Sequence, residues 1–350
     1  MRGRIPVSIL GATGAVGQRY VSLLADHPWF EIAGLAASER STGRRYAEAC
    51  RWVLDMPMPE AVRDMPVLPV DTSLPGRLIF SGLPGDLAGQ VEEDLARAGF
   101  AVCSNASAHR MDADVPLVIP EVNPDHVELI PTQRAGRNWD GLLVTNPNCS
   151  TTVLALALAP LWKEFVIRRL HVVTLQALSG AGYPGVPSMD IIDNVVPYIG
   201  GEEDKVQTEP QKLLGTLSDG VIAQADFPVS AQCTRVPVLE GHMLCVSVEL
   251  EKNVSLDEVK EAWRAYRSEP QERQLPSAPD APIVLMEEAD RPQHRKDRDA
   301  GDGMAVTIGR VQKCPVMGLK FVALGHNTVR GAAGGSLELA ELLVARGLVE

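Results

Sequence analysis

Several features that point directly to a function in other proteins are missing from this 350-residue sequence. No apolar stretch approaches the roughly 18 residues that a membrane-spanning helix requires, and the apolar run near the N-terminus is short and interrupted by glycine. We therefore expect neither a membrane segment nor a signal peptide. Basic residues are also in the minority, since 33 Lys and Arg face 45 Asp and Glu, a formal net charge of −12. That balance argues against a nucleic acid or an anionic membrane as partner.

Cysteine is present but lacks the spacings that build disulfide frameworks or metal sites. The six thiols include no Cys-x-x-Cys pair and have no histidine cluster beside them. We therefore expect no bound metal, no disulfide framework and a reducing, cytoplasmic location. The remaining composition, with 45% hydrophobic and 22% charged residues, is that of an ordinary globular protein, and the length suggests two domains.

Strand-like and helical segments alternate along the first part of the chain. Strands are predicted at residues 5–10, 31–38, 67–70, 77–84, 100–105 and 116–122. Helices are predicted after the first strand and at 86–99. This alternation indicates an α/β domain whose parallel sheet has helices on both faces.

Beyond residue 149 the pattern changes to β-branched segments. Strands are predicted at 171–180, 235–251, 283–286, 304–312 and 319–325, in a mixed or antiparallel sheet. A helix is predicted at 255–268. The final segment, 335–349, is predicted to be an amphipathic helix that packs back on the first domain.

A glycine-rich turn, GATGAVG, joins the first predicted strand to a helix and is a candidate cofactor site. Gly11, Gly14 and Gly17 recur at every third position. Glycines in this context let the backbone approach a dinucleotide pyrophosphate, which rests on the N-terminus of the helix. The turn therefore predicts a dinucleotide-binding site.

The residues after the second strand bear on which dinucleotide binds. NAD-specific sites usually place an acidic residue here to hold the ribose hydroxyls. This segment offers the small hydroxyl residues Ser38 and Ser41 and the arginine Arg40, beside Glu39 as the competing feature. Hydroxyls and arginines suit a 2′-phosphate, so NADP is favoured.

The stretch TNPNCSTT, residues 145–152, places a single cysteine at the start of a helix. Pro147 and Asn148 favour a turn, and the apolar run that follows predicts a largely buried helix. Cys149 would lie at the helix N-terminus, where the dipole and free backbone N–H groups favour a thiolate and could stabilise an oxyanion. From this stretch alone, a catalytic nucleophile and a small buried cysteine are about equally favoured.

The segment RVPVLEGH supplies two candidate partners for the thiol, Arg235 and His242. In an extended strand their separation would exceed about 20 Å and place them on opposite faces. A turn near residues 239–241 is therefore predicted. A lone histidine on a strand is more often structural than catalytic, so this pattern alone assigns no role to His242.

Eight motifs lie in order from about residue 5 to the C-terminus. They are GATGAVGQRYVSLL, SNASAHRMDADVPLVIPEVNPDH, TNPNCSTT, QALSGAGYPG, PYIGGEEDKVQTEPQKLLG, RVPVLEGH, DRDAGDGMAVTIGR and HNTVRGAAGGS. Together they resemble the aspartate-β-semialdehyde dehydrogenases, particularly the archaeal and fungal branch. The resemblance implies an N-terminal Rossmann-type NADP-binding domain over residues 1–148, completed by a C-terminal helix at 326–350. It also implies an α+β catalytic and dimerisation domain with a mixed sheet over 149–325, in a homodimer or homotetramer.

The resemblance further implies a role for each matching residue. The chemistry falls to the nucleophile Cys149, its neighbour Asn148 beside the oxyanion, the thioester-orienting Gln176 and the acid/base His242. Substrate binding falls to Arg235 for the α-carboxylate, Glu202 and Lys205 for the amino group and inorganic phosphate, and Arg110 for phosphate, with Asn105 nearby. The cofactor positions are Gly11, Thr13, Gly14, Ala15, Val16, Gly17, Ser38, Arg40, Ser41, Ser81, Gly82, Leu83, Pro84, Ser179, Gly180 and Asn327. No metal ligand is implied.

The implied reaction interconverts L-aspartyl 4-phosphate and L-aspartate 4-semialdehyde through a cysteine thioester, as a step toward lysine, threonine and methionine. The sequence departs from the family at Met243 to Cys245, where a threonine and an acidic residue are frequent, and this affects the expected substrate preference. Malonyl-CoA reductases would share Cys149, His242 and the cofactor site, and N-acetyl-glutamyl-phosphate reductases match fewer motifs. A catalytically idle NADP-binding sensor is the alternative from another functional class.

Overall fold

The computed structural model describes residues 3–349, so the outermost ends of the predicted domain ranges, residues 1, 2 and 350, lie outside the described chain. A first sheet is built from six strands. They are β1 (Ile5–Leu10), β2 (Phe30–Ala36), β3 (Val67–Leu68), β4 (Leu78–Ser81), β5 (Ala101–Ser104) and β6 (Leu142–Thr145). All pair in parallel, in the order β3-β2-β1-β4-β5-β6. The predicted parallel α/β domain is confirmed.

Both faces of this sheet are buried, as a parallel sheet requires. Leu78 and Phe80 of β4 enter one apolar cluster and Ile79 between them enters another, so successive side chains serve opposite faces. The helices of this part are α1 (Ala15–Leu24), α2 (Tyr46–Ala49), α3 (Glu60–Arg63), α4 (Gly85–Arg97) and α5 (Ile130–Arg137). The predicted helix at 86–99 corresponds to α4.

The predicted strand at 116–122 is wrong. Only Leu117 pairs, in an isolated bridge with Thr145, and the outermost strand is β6 itself. Pro116 and Pro120 lack the backbone donor that a ladder needs. The Asn123 side chain also accepts the N–H of residue 119 at 2.9 Å and donates to the carbonyl of residue 117 at 2.8 Å, which uses up backbone groups of this segment.

The second sheet is mixed, as predicted. Its strands are β7 (Ile167–Gln176), β10 (Val229–Arg235), β11 (His242–Leu250), β12 (Ile283–Leu285), β13 (Val306–Cys314) and β14 (Gly318–Gly325), and β8 (Thr216–Ser218) and β9 (Val221–Ala223) form a separate hairpin. The order is β10-β7-β11-β14-β13-β12, with antiparallel pairs in the middle and a parallel pair at each edge. The predicted turn between Arg235 and His242 is confirmed, because these residues end β10 and begin β11.

The helices α6 (Cys149–Phe165), α8 (Glu202–Leu213) and α9 (Leu256–Ala265) pack against the second sheet. The shorter helices α7 (Ser188–Ile191), α10 (Glu269–Glu272) and α11 (His294–Asp297) lie in the connections of this part of the chain. Helix α6 is apolar on all sides and joins the core of the second sheet through side chains such as Leu154 and Leu158. Within residues 3–349 no helix combines the length and the apolar character that crossing a bilayer requires. The domain boundary placed at residue 148 stays a prediction.

The C-terminal segment returns to the first domain, as predicted, but it is not amphipathic. A π-helical turn, Val329–Ala333, leads into α12 (Gly334–Ala345), and Leu337 to Leu343 are buried on every side of the helix. Leu339 and Leu342 join the core of the parallel sheet. The charged side chains that suggested a solvent face are internal, since Glu338 accepts a hydrogen bond from Arg330 at 2.6 Å and Glu341 one from His27 at 2.8 Å.

Candidate active site

The N-terminus of α6 and the first residue of β11 bring the predicted nucleophile and acid/base together. The Nε2 atom of His242 lies 3.1 Å from the Sγ atom of Cys149, although 93 residues separate them in sequence. The other ring nitrogen, Nδ1, accepts the backbone N–H of Ala177 at 3.1 Å. In the neutral ring the proton therefore lies on Nε2 and faces the sulfur.

The surroundings of Cys149 do not favour a thiolate. Two N–H groups at the helix N-terminus, those of Ser150 and Thr151, donate to Oδ1 of Asn148 at 2.9 and 3.2 Å. Burial, and secondly the nearby Glu202 carboxylate, raise the pKa of the Cys149 thiol to about 12. Contrary to expectation, the position at the helix N-terminus does not lower the pKa of this thiol below its usual value.

His242 is equally unsuited to carry a charge here. It has no solvent exposure. Burial, and secondly the Arg235 guanidinium, lower the pKa of His242 to about 3. The pair is therefore a thiol and a neutral imidazole at neutral pH.

Glu202, the first residue of α8, gathers three other predicted site residues around its carboxylate. Lys205 Nζ donates to it at 3.0 Å, Asn148 Nδ2 at 2.9 Å and Gln176 Nε2 at 3.2 Å. Burial works to raise the pKa of Glu202, but the charge of Lys205 and these hydrogen bonds outweigh it, and the pKa is lowered. An anion beside the sulfur is a site for a cationic group.

Arg235 lies beside Cys149 and His242. Its Nη1 atom donates to the carbonyl of Ala177 at 2.6 Å, and the side chain is almost fully buried. A Cβ atom added at Gly180 would lie 2.8 Å from this Nη1 and 3.0 Å from Nε2 of His242. The side chains of Arg235 and His242 therefore both lie next to Gly180, as the predicted site requires.

Arg110 and Asn105 are adjacent but connect to the nucleophile indirectly. Arg110 Nη2 donates to the carbonyl of Asn105 at 2.6 Å, and its Nη1 donates to Glu209 of α8 at 3.0 Å. The other oxygen of Glu209 accepts the backbone N–H of Asn148 at 2.6 Å. The Glu209 carboxylate therefore links Arg110 to Asn148, the residue that precedes Cys149.

The glycine-rich turn forms a tight cradle between β1 and β4, where the strand order reverses. Gly11 has φ of +68°, and a Cβ atom there would lie 2.8 Å from the carbonyl oxygen of Gly82. A Cβ atom at Gly17 would lie 2.2 Å from the carbonyl oxygen of Gly11, so helix α1 can pack this closely only with glycine. Dinucleotides bind at such reversal points in open parallel sheets.

The remaining cofactor positions surround this cradle or lie on neighbouring loops. Thr13 and Gly14 precede α1, Ala15 and Val16 begin it, and Ser81 to Pro84 connect β4 to α4. The loop after β2 is closed by a hydrogen bond from the N–H of Ser41 to the carbonyl of Ser38 at 2.8 Å. Arg40 is exposed and makes no ion pair or side-chain hydrogen bond within residues 3–349.

Ser179 and Asn327 connect the predicted cofactor positions to the predicted catalytic pair. Asn327 Nδ2 donates to Ser179 Oγ at 2.8 Å, and its Oδ1 accepts the N–H of Gly241 at 2.8 Å. Because Gly241 directly precedes His242, these two residues border the predicted acid/base.

Three residues that the sequence did not single out belong to this site. Glu209 bridges Arg110 and Asn148; its signal was its place seven residues after Glu202 on one helix face. Glu240 accepts hydrogen bonds from Arg19 of α1 at 2.9 Å and from the buried His326 at 2.8 Å, which ties the cofactor helix to the turn before His242. Gly331 lies so close to Cys149 that a Cβ atom there would be 2.7 Å from the cysteine Cβ. No local pattern marks these last two contacts.

Known proteins resemble this chain over nearly its whole length. Residues 6–130 match the family model "Semialdehyde dehydrogenase, NAD binding domain" and residues 158–330 match "Semialdehyde dehydrogenase, dimerisation domain". The aspartate-semialdehyde dehydrogenase of Archaeoglobus fulgidus is 51% identical over 347 residues, covering 99% of this chain and 100% of that protein. That of Cryptococcus neoformans is 46% identical over 362 residues, covering 100% and 99%.

Solved structures that resemble this chain are also aspartate semialdehyde dehydrogenases. The crystal structure of aspartate semialdehyde dehydrogenase with NADP from Candida albicans has a TM-score of 0.92 at 39% identity and covers 99% of this chain and 100% of that one. Aspartate semialdehyde dehydrogenase II from Vibrio cholerae has a TM-score of 0.76 at 28% identity, with 98% and 99% covered. The chain therefore belongs to the aspartate-semialdehyde dehydrogenase family, and its relatives there include archaeal and fungal enzymes.

Proposed function

We propose that this chain catalyses the reversible, NADPH-dependent reductive dephosphorylation of L-aspartyl 4-phosphate to L-aspartate 4-semialdehyde, within lysine, threonine and methionine biosynthesis. The observation that carries the proposal is the 3.1 Å approach of Cys149 Sγ to His242 Nε2, beside a carboxylate and two arginines. A nucleophile and a proton carrier within hydrogen-bonding reach are the minimum that acyl transfer requires.

The structure fits NADP as the cofactor. A Cβ atom at Gly11 or Gly17 would meet backbone carbonyl oxygens, so glycine lets the turn and helix α1 pack closely and places the helix N-terminus where a pyrophosphate would bind. The exposed Arg40 and the hydroxyl of Ser38 would hold the 2′-phosphate. When bound, NADP supplies the redox chemistry, taking a hydride from the substrate carbon in the oxidative direction and, as NADPH, returning it in the reductive one.

In the oxidative direction the Cys149 sulfur attacks the aldehyde carbon, a C–S bond forms, and the thiol proton passes to the carbonyl oxygen, which becomes a hydroxyl. His242, whose Nε2 proton faces the sulfur, would donate a hydrogen bond to that oxygen. When the carbon is oxidised, the hydroxyl proton leaves by exchange with His242. Gln176, held by Glu202 at 3.2 Å, would orient the thioester that remains after oxidation.

Phosphate then releases the acyl group from Cys149. Lys205, with partial solvent exposure, and Arg110, which is nearly buried, are the cations proposed to hold it. A phosphate oxygen attacks the thioester carbon, the C–S bond breaks, and the thiolate of Cys149 is the leaving group. The products are aspartyl phosphate and the free nucleophile.

Arg235 and Glu202 give the pocket its proposed preference for an amino acid. Arg235 offers a planar guanidinium that can bind a carboxylate at two points, which a lysine cannot do. Glu202 lies opposite as an anion for the ammonium group. A substrate with both charges is therefore held at two places, and its aldehyde is oriented toward Cys149.

The test compares initial rates of the parent, Arg235→Lys and Glu202→Gln enzymes on aspartate semialdehyde and on malonyl-CoA, with and without phosphate. We expect oxidation of the semialdehyde to require phosphate and to fall sharply in both variants, since loss of orientation is costly. Malonyl-CoA carries a carboxylate but no ammonium group. Semialdehyde oxidation that ignores phosphate or Glu202→Gln would favour a malonyl-CoA reductase instead.

The nucleophile is tested by Cys149→Ser. A serine hydroxyl has no accessible anion at neutral pH, so turnover should fall by several orders of magnitude, as for other removed nucleophiles. NADP binding, followed by fluorescence titration, should persist. Activity within about tenfold of the parent would exclude Cys149 as the nucleophile, and a parent enzyme that binds NADP without any turnover would point to an idle sensor.

We further propose a cytoplasmic homodimer, with a homotetramer as the larger assembly to be tested. The six cysteines are free thiols, which suits a reducing compartment. The segment before α8 exposes large apolar side chains, among them Met189, Ile192 and Tyr198, and pairs with the edge of β10 through Val196. Sedimentation velocity should give two chains for the parent and fewer for Met189→Asp.

A further inference from the structure

One face of α8 carries four charged residues. Glu202, Lys205, Glu209 and Lys212 follow one another at helical spacing, so they lie along a single stripe. Glu202 and Lys205 belong to the proposed substrate pocket. Glu209 and Lys212, which no step of the proposed reaction uses, are almost fully buried.

These two residues hold the loop that carries Arg110. Lys212 Nζ donates to the carbonyls of Arg110, Asp112 and Val115 at 2.7, 2.7 and 2.8 Å. Glu209 Oε1 accepts from the Arg110 guanidinium at 3.0 Å. Both the backbone and the side chain of Arg110 are thus held by α8.

Glu209 also reaches the nucleophile turn. Its second oxygen, Oε2, accepts the backbone N–H of Asn148 at 2.6 Å. The guanidinium of Arg110 still has a buried Nε without a hydrogen-bond partner in residues 3–349. One carboxylate therefore sets the distance between a cation with spare donors and the residue next to Cys149.

We propose that Glu209 is a positioning residue for the phosphate step: it holds Arg110 in register with the Cys149 thioester. The proposal rests on the proposed function. In that step a phosphate oxygen bonds to the thioester carbon, the C–S bond breaks, and the electron pair leaves with the sulfur of Cys149. Glu209 touches neither reactant and acts through Arg110.

The role requires a carboxylate and not merely a polar group of the same size. The two bonds of Glu209 use one acceptor oxygen each, and both partners are donors. A glutamine has one acceptor oxygen and a donor NH₂, so in the same side-chain position either Arg110 or the Asn148 N–H would face that NH₂ in place of an acceptor. Either loss lets Arg110 shift relative to Cys149.

The experiment separates the two half-reactions in the full chain. Semialdehyde and NADP are mixed without phosphate to measure the burst of NADPH that reports acylation of Cys149, and inorganic phosphate is then added to measure deacylation. For Glu209→Gln we expect a burst rate and amplitude within about threefold of the parent, and a rate constant for phosphate that is lower by roughly 10- to 100-fold, as for a catalytic group displaced by about 1 Å. Asp204→Asn, an exposed carboxylate on the same helix, is the matched control and should change neither.

A double-variant comparison tests whether Glu209 acts through Arg110. Arg110→Lys alone should lower the phosphate rate constant and spare the burst. The combined Arg110→Lys and Glu209→Gln enzyme should match Arg110→Lys within about threefold, because residues acting as a unit are not additive. If the two losses multiply, or if the burst of Glu209→Gln falls as much as deacylation does, the positioning role is overturned.

Glu209→Asp covers the case in which Glu209→Gln does not fold. It keeps the charge but is one methylene too short to reach both partners, and the same split between burst and deacylation is expected at smaller size. An unchanged phosphate rate constant in Arg110→Lys would overturn the proposal without any change at position 209. A parent enzyme that gives no burst with semialdehyde would instead refute the proposed function.

Discussion

Gly180→Ala should impair catalysis while leaving the fold intact. Gly180 follows β7 in a short 3₁₀ turn (Leu178–Ala181), and its surface is open to solvent. It lacks the positive φ that would make alanine costly for the backbone. The added methyl group points into the site, where it would lie 2.8 Å from Nη1 of Arg235 and 3.0 Å from Nε2 of His242.

The size of the effect follows from these two distances. Ordinary contact with a Cβ atom begins near 3.4 Å, so the guanidinium must withdraw by about 0.6 Å and the imidazole by about 0.4 Å. Neither has free space, because Arg235 is bonded to the Ala177 carbonyl at 2.6 Å and His242 to its N–H at 3.1 Å. Displacements of this size correspond to a loss of roughly 10- to 100-fold in kcat/KM.

The assay is the initial rate of semialdehyde oxidation, with thermal unfolding measured on the same preparation. Gly200→Ala is the matched control, since a Cβ atom there meets only the Tyr198 hydroxyl at 3.7 Å. We expect unfolding temperatures of both variants close to the parent and a loss of rate in Gly180→Ala alone. A rate within about twofold of the parent would show that Arg235 and His242 do not need their observed positions.

Three other results are expected. The rate at which iodoacetamide alkylates Cys149, measured on its peptide by mass spectrometry, should rise about tenfold per pH unit from pH 6 to 9. The reason is that the pKa of the thiol is raised to about 12 and the pKa of His242 is lowered to about 3. A plateau of the rate near neutral pH would reveal a thiolate–imidazolium pair. Arg40→Ala should weaken NADP binding by about 1–3 kcal/mol and leave NAD nearly unchanged, and equal losses would remove Arg40 from the 2′-phosphate. Glu240→Gln should weaken NADPH binding by about two- to fivefold through loss of its partly exposed pair with Arg19, whereas an unchanged dissociation constant would argue against a link between α1 and the catalytic turn.

Local patterns were enough to predict much of this protein. The glycine spacing after β1, the turn and apolar run around Cys149, and the break between Arg235 and His242 are all set by neighbours in sequence. The ordered motifs then led to the family, which the relatives confirm, and to residues that the fold does bring together. These features depend on backbone geometry and on short-range periodicity, both of which can be inferred from neighbouring residues in the sequence.

Features that depend on packing between distant segments were predicted less well. The segment 116–122 has the composition of a strand, yet two prolines and the Asn123 side chain remove its ladder bonds. The C-terminal helix has charged residues at regular spacing, yet Glu338 and Glu341 are buried because Arg330 and His27 reach them. The burial of Glu341 depends on His27, which lies 314 residues away in sequence, whereas the prolines and Asn123 lie in or beside the segment 116–122 and were a local signal against a strand.

The sequence by itself determined which groups are available for chemistry: one thiol at a helix start, one histidine after a turn, and a glycine-rich turn after a strand. Only the tertiary structure decided their state. The 3.1 Å contact between Cys149 and His242, the raised pKa of that thiol, and the hold of Glu209 on both Arg110 and Asn148 all arise where α6, α8 and β11 converge. Burial and electrostatic interactions sum over every neighbour in space, and most of those neighbours lie far away along the chain.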